Sequence, residues 1–444
     1  MTDDERVVLK LQSDSTIIDG TPVVRLLISE PNEDEGMWPF ECTETDAEFS
    51  ALADGVGAEP VASAGRRLLA AITANPGPAG VLTNAFGIAA DLGSYRPIYI
   101  DLGGALTCQE LPWEALCRED GGFLALEHWP VGRMLNSRAS PVKVRTFQPP
   151  LRITAVLSCL GVSAREEWQA LKTAVDNSPL DIDMLLLLSE APLVNEIRKL
   201  ALPWVNVDLI PSERVNLAAR ISDHAPHVLH FFCHGDTVGS PHLNVATAVD
   251  WLNKNGPSTH WMTARTIRGL VQPPAEPPWA IVLNACSSAD SGHFSGAQSL
   301  AADLVKEHGI QAVVGMIEPV LSGDAAQFTS NFYSSLFRTV HSLFFAVDEG
   351  IAAGGNAARI LDWATLTVAP RTVLSQEPPD EDFAAAARRK QWIRPTLTVR
   401  RDPFRLEVAA PMPVTTRLQD EMASTMNDVL SGIVPGPPGP DSPN

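Results

Sequence analysis

Two apolar runs, each followed by a chemically reactive side chain, decide the fold of this chain. The first lies in HVLHFFCHGD at residues 227–236, and the second lies in WAIVLNACSS at residues 279–288. Both have the length and the apolar content of strands buried on two faces. His234 stands at the end of the first run and Cys286 at the end of the second. We therefore predict two buried strands whose carboxyl ends carry an imidazole and a thiol.

Strands and amphipathic helices alternate around these two runs. The pattern predicts further strands at 151–158, 205–210, 310–316 and 396–400, and helices at 166–175, 213–222, 263–270, 296–308 and 324–340. Such alternation is typical of a parallel sheet that helices cover on both faces. We predict an α/β fold with a mostly parallel sheet sandwiched by helices. Functional residues of such sheets collect at the carboxyl ends of the strands.

The chain divides into three parts by composition. Residues 1–145 are predicted to form an N-terminal α/β segment, with strands at 21–28 and 97–102 and a helix at 62–74, packed in one unit with the second part. That second part, residues 146–407, is the predicted catalytic subdomain. Residues 408–444 combine a predicted amphipathic helix with a Pro- and Gly-rich tail, which is typical of disorder. The leucine-rich stretch 177–191 is predicted either to dock a partner or to pack on the core.

Charge and cysteine usage exclude several functional classes. The formal net charge is −20 and the sequence pI is about 4.9, which disfavours nucleic acid or an anionic membrane as a partner. The six cysteines form no C-x-x-C pair, so no metal site is predicted, and their sparse distribution indicates reduced thiols. Neither a secretory signal nor an apolar run of about 20 residues is present, so we predict a cytoplasmic protein.

The paired strand ends indicate nucleophilic catalysis. Neighbouring parallel strands bring His234 and Cys286 to one edge of the sheet, and an adjacent imidazole converts a thiol into an effective nucleophile. Gly235 has no Cβ and permits close approach of a substrate, so the backbone amides of Gly235 and Cys286 are predicted to form an oxyanion hole.

The two motifs resemble those of the CHAT domain family, whose members are caspase-like cysteine peptidases. The stretches LPWE at 111–114 and GIQAVVGM at 309–316 are also similar to family motifs, and the resemblance covers roughly residues 20–405. The 52 positions between His234 and Cys286 match the spacing of about 50 found in caspases. The resemblance implies peptide-bond hydrolysis with His234 as base, Cys286 as nucleophile and Gly235 as oxyanion donor. It implies no metal or organic cofactor.

The family resemblance also implies partners. We expect a protein substrate, a separate activator or sensor protein, and a role as a regulated effector in bacterial defence or programmed death. The alternative is a catalytically silent CHAT fold that serves as an interaction scaffold.

Four further residues are predicted to line a substrate pocket. In related enzymes the residue two positions before the cysteine lines the pocket, and here it is the neutral Asn284. Glu318 or Asp324 supplies an acid if the substrate residue before the scissile bond is basic. A preference for a neutral or apolar substrate residue stays open. Asp236 either orients the imidazole or, as the preferred interpretation, is a turn residue.

Other polar residues near the motifs are predicted to be structural. His230 is predicted to be a buried histidine, His227 and His242 to be loop or surface residues, and Trp113 to anchor the N-terminal segment on the sheet. The loops 237–257 and 287–295 are predicted to be mobile.

Overall fold

The structure of the protein is a computed structural model. It describes residues 7–18, 21–29, 36–40, 58–92, 97–104, 108, 111, 113–126, 129–141, 144–158, 160–236, 240–253, 260–285, 299–316, 322–344, 359–360, 363 and 395–408. Cys286, Glu318, the loop 287–295 and the predicted tail from residue 409 onward lie outside the described residues.

The described strands are numbered in chain order. They are β1 Val7–Ile18, β2 Thr21–Ser29, β3 Gly36–Phe40, β4 Ile98–Gly104, β5 Val131–Leu135, β6 Val144–Phe147, β7 Leu151–Ser158, β8 Ile182–Leu188, β9 Val205–Leu209, β10 Val228–Asp236, β11 His242–Val245, β12 His260–Met262, β13 Ala280–Asn284, β14 Ala312–Met316, β15 Arg359–Ile360, β16 Pro395–Arg400 and β17 Arg405–Val408.

The described helices connect these strands. They are α1 Ala58–Thr73, α2 Pro76–Leu92, α3 Arg165–Asp176, α4 Ala191–Lys199, α5 Arg214–His224, α6 Ala248–Asn253, α7 Ala264–Arg268, α8 Leu300–Lys306 and α9 Ser322–Phe344. Among these helices, none is both long and apolar enough to cross a bilayer.

Most strands of the main sheet form two parallel blocks that run in opposite directions, and β2 pairs antiparallel with both β1 and β3 at one edge. The strand order of the sheet in the described part of the chain is β3-β2-β1-β4-β5-β16-β14-β13-β10-β7-β8-β9. Strands β14, β13, β10, β7, β8 and β9 are mutually parallel, as are β1, β4, β5 and β16, and the two blocks meet at the antiparallel pair β14–β16. The predicted mostly parallel sheet is therefore confirmed, and the strands of the N-terminal segment belong to it.

The two faces of the sheet bury two separate cores, which explains the continuous apolar strands. On β10, Leu229 and Phe231 face the core that includes α1, α5, α7 and α8, whereas Val228 and Phe232 face the core that includes α3, α4 and α9. Because successive side chains of a strand point to opposite faces, a strand between two helix layers must be apolar at nearly every position. Helices thus cover both faces, as predicted.

Trp113 and Glu114 join the N-terminal segment to the sheet. Trp113 is buried, and its Nε1 donates a hydrogen bond to the carbonyl of Cys108 over 2.8 Å. Both carboxylate oxygens of the buried Glu114 accept hydrogen bonds of 2.8 Å from Arg133 on β5. Trp113 packs in the core on one face of the sheet, where its predicted anchoring role requires it, and the charge of Glu114 is balanced by a bidentate partner.

The structure decides between the two predicted alternatives for one segment and differs from the prediction in another. The leucine-rich stretch 177–191 contains β8, which lies between β7 and β9 with its leucines buried, so it packs on the core and does not form a docking strip. The predicted loop 237–257 contains β11 and α6 within its described residues. Strand β11 pairs with the end of β10 and with β12, and this pairing shapes the candidate site.

Candidate active site

His234 is held at the carboxyl end of β10 by a backbone carbonyl. It is half-buried, and its Nε2 lies 2.7 Å from the carbonyl oxygen of Leu160, just beyond the end of the neighbouring strand β7. A carbonyl oxygen only accepts hydrogen bonds, so Nε2 must carry the proton. In the neutral ring the lone pair then belongs to Nδ1. This contact fixes both the ring orientation and the tautomer, as a general base requires.

Strand β13 is the parallel neighbour of β10 on the side away from β7. The register pairs Phe231 with Leu283 and Phe232 with Asn284. The predicted adjacency of the strands that precede His234 and Cys286 is therefore confirmed. Cys286 itself lies two residues beyond Asn284, outside the described residues.

The other histidines of this region are not placed as bases. His230 is fully buried within the sheet, as predicted. His227 and His242 are buried as well. His227 lies in a loop, which is one of its two predicted placements, whereas His242 belongs to β11, so its predicted loop or surface position is wrong. His227 lies at the amino end of β10, where its Nδ1 accepts a hydrogen bond from the backbone N–H of Arg152 over 3.0 Å. Burial, and then the nearby charge of Arg152, lowers the pKa of His227 to about 3, so the ring stays neutral.

Asn284 is buried in a polar cluster and is not presented to a groove. Its side chain is 2% exposed, and Nδ2 lies 3.0 Å from Oε1 of Glu167, 3.1 Å from the carbonyl of Ala325 and 3.1 Å from Oγ1 of Thr329. These partners belong to α3 and α9 on one face of the sheet. The placement contradicts the predicted role of Asn284 as a pocket residue, because its amide donors point into the interior.

Glu167 is the centre of this buried cluster. Its Oε1 accepts hydrogen bonds from Asn284 and from the hydroxyl of Thr329, and it lies 2.9 Å from Nε2 of His230. Neither Glu167 nor His230 has side-chain exposure to solvent. Tyr333 packs against His230 at 5.6 Å between ring centroids, and its burial, with the charge of Glu167, raises the pKa of the phenol. The cluster ties both strands that lead to the site to helices α3 and α9.

Gly235 and Asp236 continue β10 past His234. They pair with Leu243 and His242 of β11, so Asp236 is the last residue of a strand, and the preferred interpretation as a turn residue is wrong. Asp236 is half-buried and lies on the same face of the strand as His234, because they are two residues apart. The oxyanion role of Gly235 stays a prediction.

Asp324 lies close to the end of β13. It is half-buried in the first turn of α9, directly before Ala325, whose carbonyl contacts Asn284. Glu318 lies outside the described residues. Within the described part of the chain, no three His, Cys, Asp or Glu side chains converge as metal ligands do.

Comparisons with known proteins show which family this chain belongs to. A model of the CHAT domain matches residues 77–368, about two thirds of the chain. The chain belongs to the CHAT family. A search of solved structures finds a crystal structure of the Arg-specific cysteine proteinase gingipain R, at 8% identity and a TM-score of 0.35. The match covers 68% of the CHAT chain and 62% of the gingipain chain. A search of curated proteins finds no significant match.

Sequence reasoning missed two parts of this CHAT site. The Leu160 carbonyl carries no signal in the sequence, because any residue at that position supplies the same acceptor. Glu167 and Thr329 lie 117 and 45 positions from Asn284, so only the fold brings them together. A charged residue within the apolar face of the predicted helix 166–175 was the one available signal for Glu167.

Proposed function

We propose that this CHAT protein is a cysteine endopeptidase that cleaves a partner protein, with His234 as general base and Cys286 as nucleophile. The observation that carries the proposal is the hydrogen bond from Nε2 of His234 to the Leu160 carbonyl. It leaves Nδ1 as the basic atom of a ring at the carboxyl end of the sheet. Family membership supports the same chemistry.

Strand register supports the pairing of the two residues. Phe232 lies opposite Asn284, and residues opposite each other in a parallel pair point to the same face. A continuation of this register by two residues would put Cys286 opposite His234. Leu160 follows β7 on one side of β10, and we place Cys286 after β13 on the other side, so Nδ1 is the ring nitrogen that we propose to face the thiol.

The chemistry follows from this pairing. Nδ1 accepts the thiol proton as the sulfur attacks the peptide carbonyl, and the proton then passes to the leaving amine. The amides of Gly235 and Cys286 are the proposed donors to the oxyanion. Water hydrolyses the resulting thioester and restores the enzyme. We propose Asp236, Asp324 and Glu318 as acids near the substrate, and a separate activator, a cytoplasmic location and a defence role by extension from the family.

Thiol alkylation separates the peptidase from a silent scaffold. In the full chain at pH 7, iodoacetamide is expected to modify Cys286 about tenfold more slowly after His234→Ala, because the thiolate loses its base. Peptide mass spectrometry follows all six thiols separately.

His308→Ala is the matched control. His308 precedes β14 at its amino end, far from the carboxyl edge of the same sheet, so this variant is expected to leave the rate at Cys286 unchanged. If Cys286 reacts equally fast with and without the His234 imidazole, the scaffold interpretation is correct and the proposed function is wrong.

A further inference from the structure

An exposed tryptophan lies on the same face of the structure as His234. Strand β10 pairs His234 with Asn244 of β11, and β11 pairs Asn244 with Trp261 of β12. Side chains directly opposite one another in paired strands point to the same face. The imidazole, the Asn244 amide and the Trp261 indole therefore form one cross-strand row.

Burial confirms which face this row occupies. The end of β10 together with β11 and β12 forms a short ribbon. On the other face of this ribbon, Leu243, Val245 and Met262 are fully buried in the core. On the His234 face, Asn244 is half-buried and Trp261 is 55% exposed. The Trp261 ring contacts His242 edge-on at 4.5 Å between centroids, so it is supported on one side and open on the other. Supported, exposed aromatic rings are characteristic of binding sites.

The ribbon extends from His234 on the side opposite to β13. The hydroxyl of Ser158, the last residue of β7, donates to the carbonyl of Ala246 over 2.7 Å and accepts from its N–H over 2.6 Å. Strand β11 therefore ends next to β7, and β12 lies further out. The order across the carboxyl edge is β13, then His234, then Asn244, then Trp261.

This order has a mechanistic consequence, which rests on the proposed function. The base that deprotonates Cys286 must deliver its proton to the leaving nitrogen, so the leaving segment of the substrate passes over His234 and away from β13. Two strand spacings put Trp261 about 10 Å from His234. An extended peptide rises about 3.3 Å per residue, so this distance corresponds to about three residues.

We propose that Trp261 is a specificity-determining residue that binds a large apolar side chain of the protein substrate, at about the third residue after the scissile bond. The open indole face supplies apolar contact area, and Asn244 supplies a polar group between it and His234. Cleavage is expected to favour Phe, Leu or Met over Asp or Gly at that position by about five- to tenfold.

A peptide-library digest tests this inference. The full chain is incubated with a mixed peptide library, and the cleaved bonds are identified by mass spectrometry. The preference at the third position is expected to vanish in Trp261→Ala and to persist in Trp261→Phe, with Cys286 alkylation by iodoacetamide unchanged in both. Leu252→Ala removes another strongly exposed apolar side chain, from α6, and is expected to keep the preference.

The outcomes separate the two proposals. A preference that survives in Trp261→Ala, or lies only before the scissile bond, overturns the role of Trp261 and leaves the peptidase intact. Cleavage that persists in Cys286→Ala overturns the proposed function and this inference with it, as does absent cleavage together with a rate of Cys286 alkylation that His234→Ala leaves unchanged.

Discussion

His234→Ala and Cys286→Ala are each expected to reduce protein cleavage at least about a thousandfold, which corresponds to about 4 kcal/mol of transition-state stabilisation. Loss of the thiol removes the atom that forms the acyl-enzyme, and loss of the imidazole leaves the thiol protonated and the leaving amine without a proton donor. Because the two residues act as one unit, the double variant is expected to be no slower than either single variant.

The measurement is a digest of a mixture of unfolded proteins by the full chain, followed by mass spectrometry of new termini. His308→Ala and Cys108→Ala are matched controls, since each deletes the same functional group outside the proposed site, and both are expected to cleave at the parental rate. Equal cleavage by the parent and by both His234→Ala and Cys286→Ala would contradict the proposed dyad.

The strands that carry the site are predictable from the sequence because burial on both faces leaves a plain signal. Ala280–Asn284 and Leu151–Ser158 are apolar at nearly every position, and the structure has the predicted bounds for both. The adjacency of β10 and β13 is predictable from the helix predicted at 263–270 between them, since connections that contain a helix join parallel strands of one sheet.

The ribbon next to the site escapes prediction for the opposite reason. Strands β11 and β12 have four and three residues, and their sequences HLNV and HWM mix polar and apolar residues. Their structure depends on pairing with the extended end of β10, which is a tertiary effect that no local pattern reports. Consequently the sequence favours a turn at Asp236 and gives no signal for Trp261.

Asn284 shows a different limit of sequence reasoning. Its position two residues before Cys286 predicts that it lies near the end of β13, where the structure has it, but the direction of its side chain depends on what covers the strand. A buried carboxylate lies beneath it on α3, and an amide donor that can satisfy this charge turns inward. The resemblance to related enzymes predicts where Asn284 lies along the strand but not where its side chain points.

Glu167→Ala is expected to lower the free energy of unfolding by about 3–5 kcal/mol, the range for a buried charge cluster that loses one member. The carboxylate accepts from Asn284 and Thr329 and contacts His230, and none of these partners reaches water. Its loss leaves buried donors without an acceptor, and each such group costs about 1–3 kcal/mol. Denaturant unfolding followed by far-UV circular dichroism measures the change.

Glu166→Ala is the matched control because Glu166 is the preceding residue of the same helix, carries the same charge and is exposed. It is expected to change the free energy of unfolding by less than about 0.5 kcal/mol. Equal losses in the two variants would mean that helix propensity or net charge, and not the buried cluster, governs the effect.

The cluster also reaches the end of β13, so Asn284→Ala, which keeps the Glu167 carboxylate, is expected to slow alkylation of Cys286 in the folded protein. The buried cluster fixes this strand end to α3 and α9 if two results are obtained. Glu167→Ala, but not Glu166→Ala, shifts the unfolding transition, and Asn284→Ala slows the alkylation of Cys286.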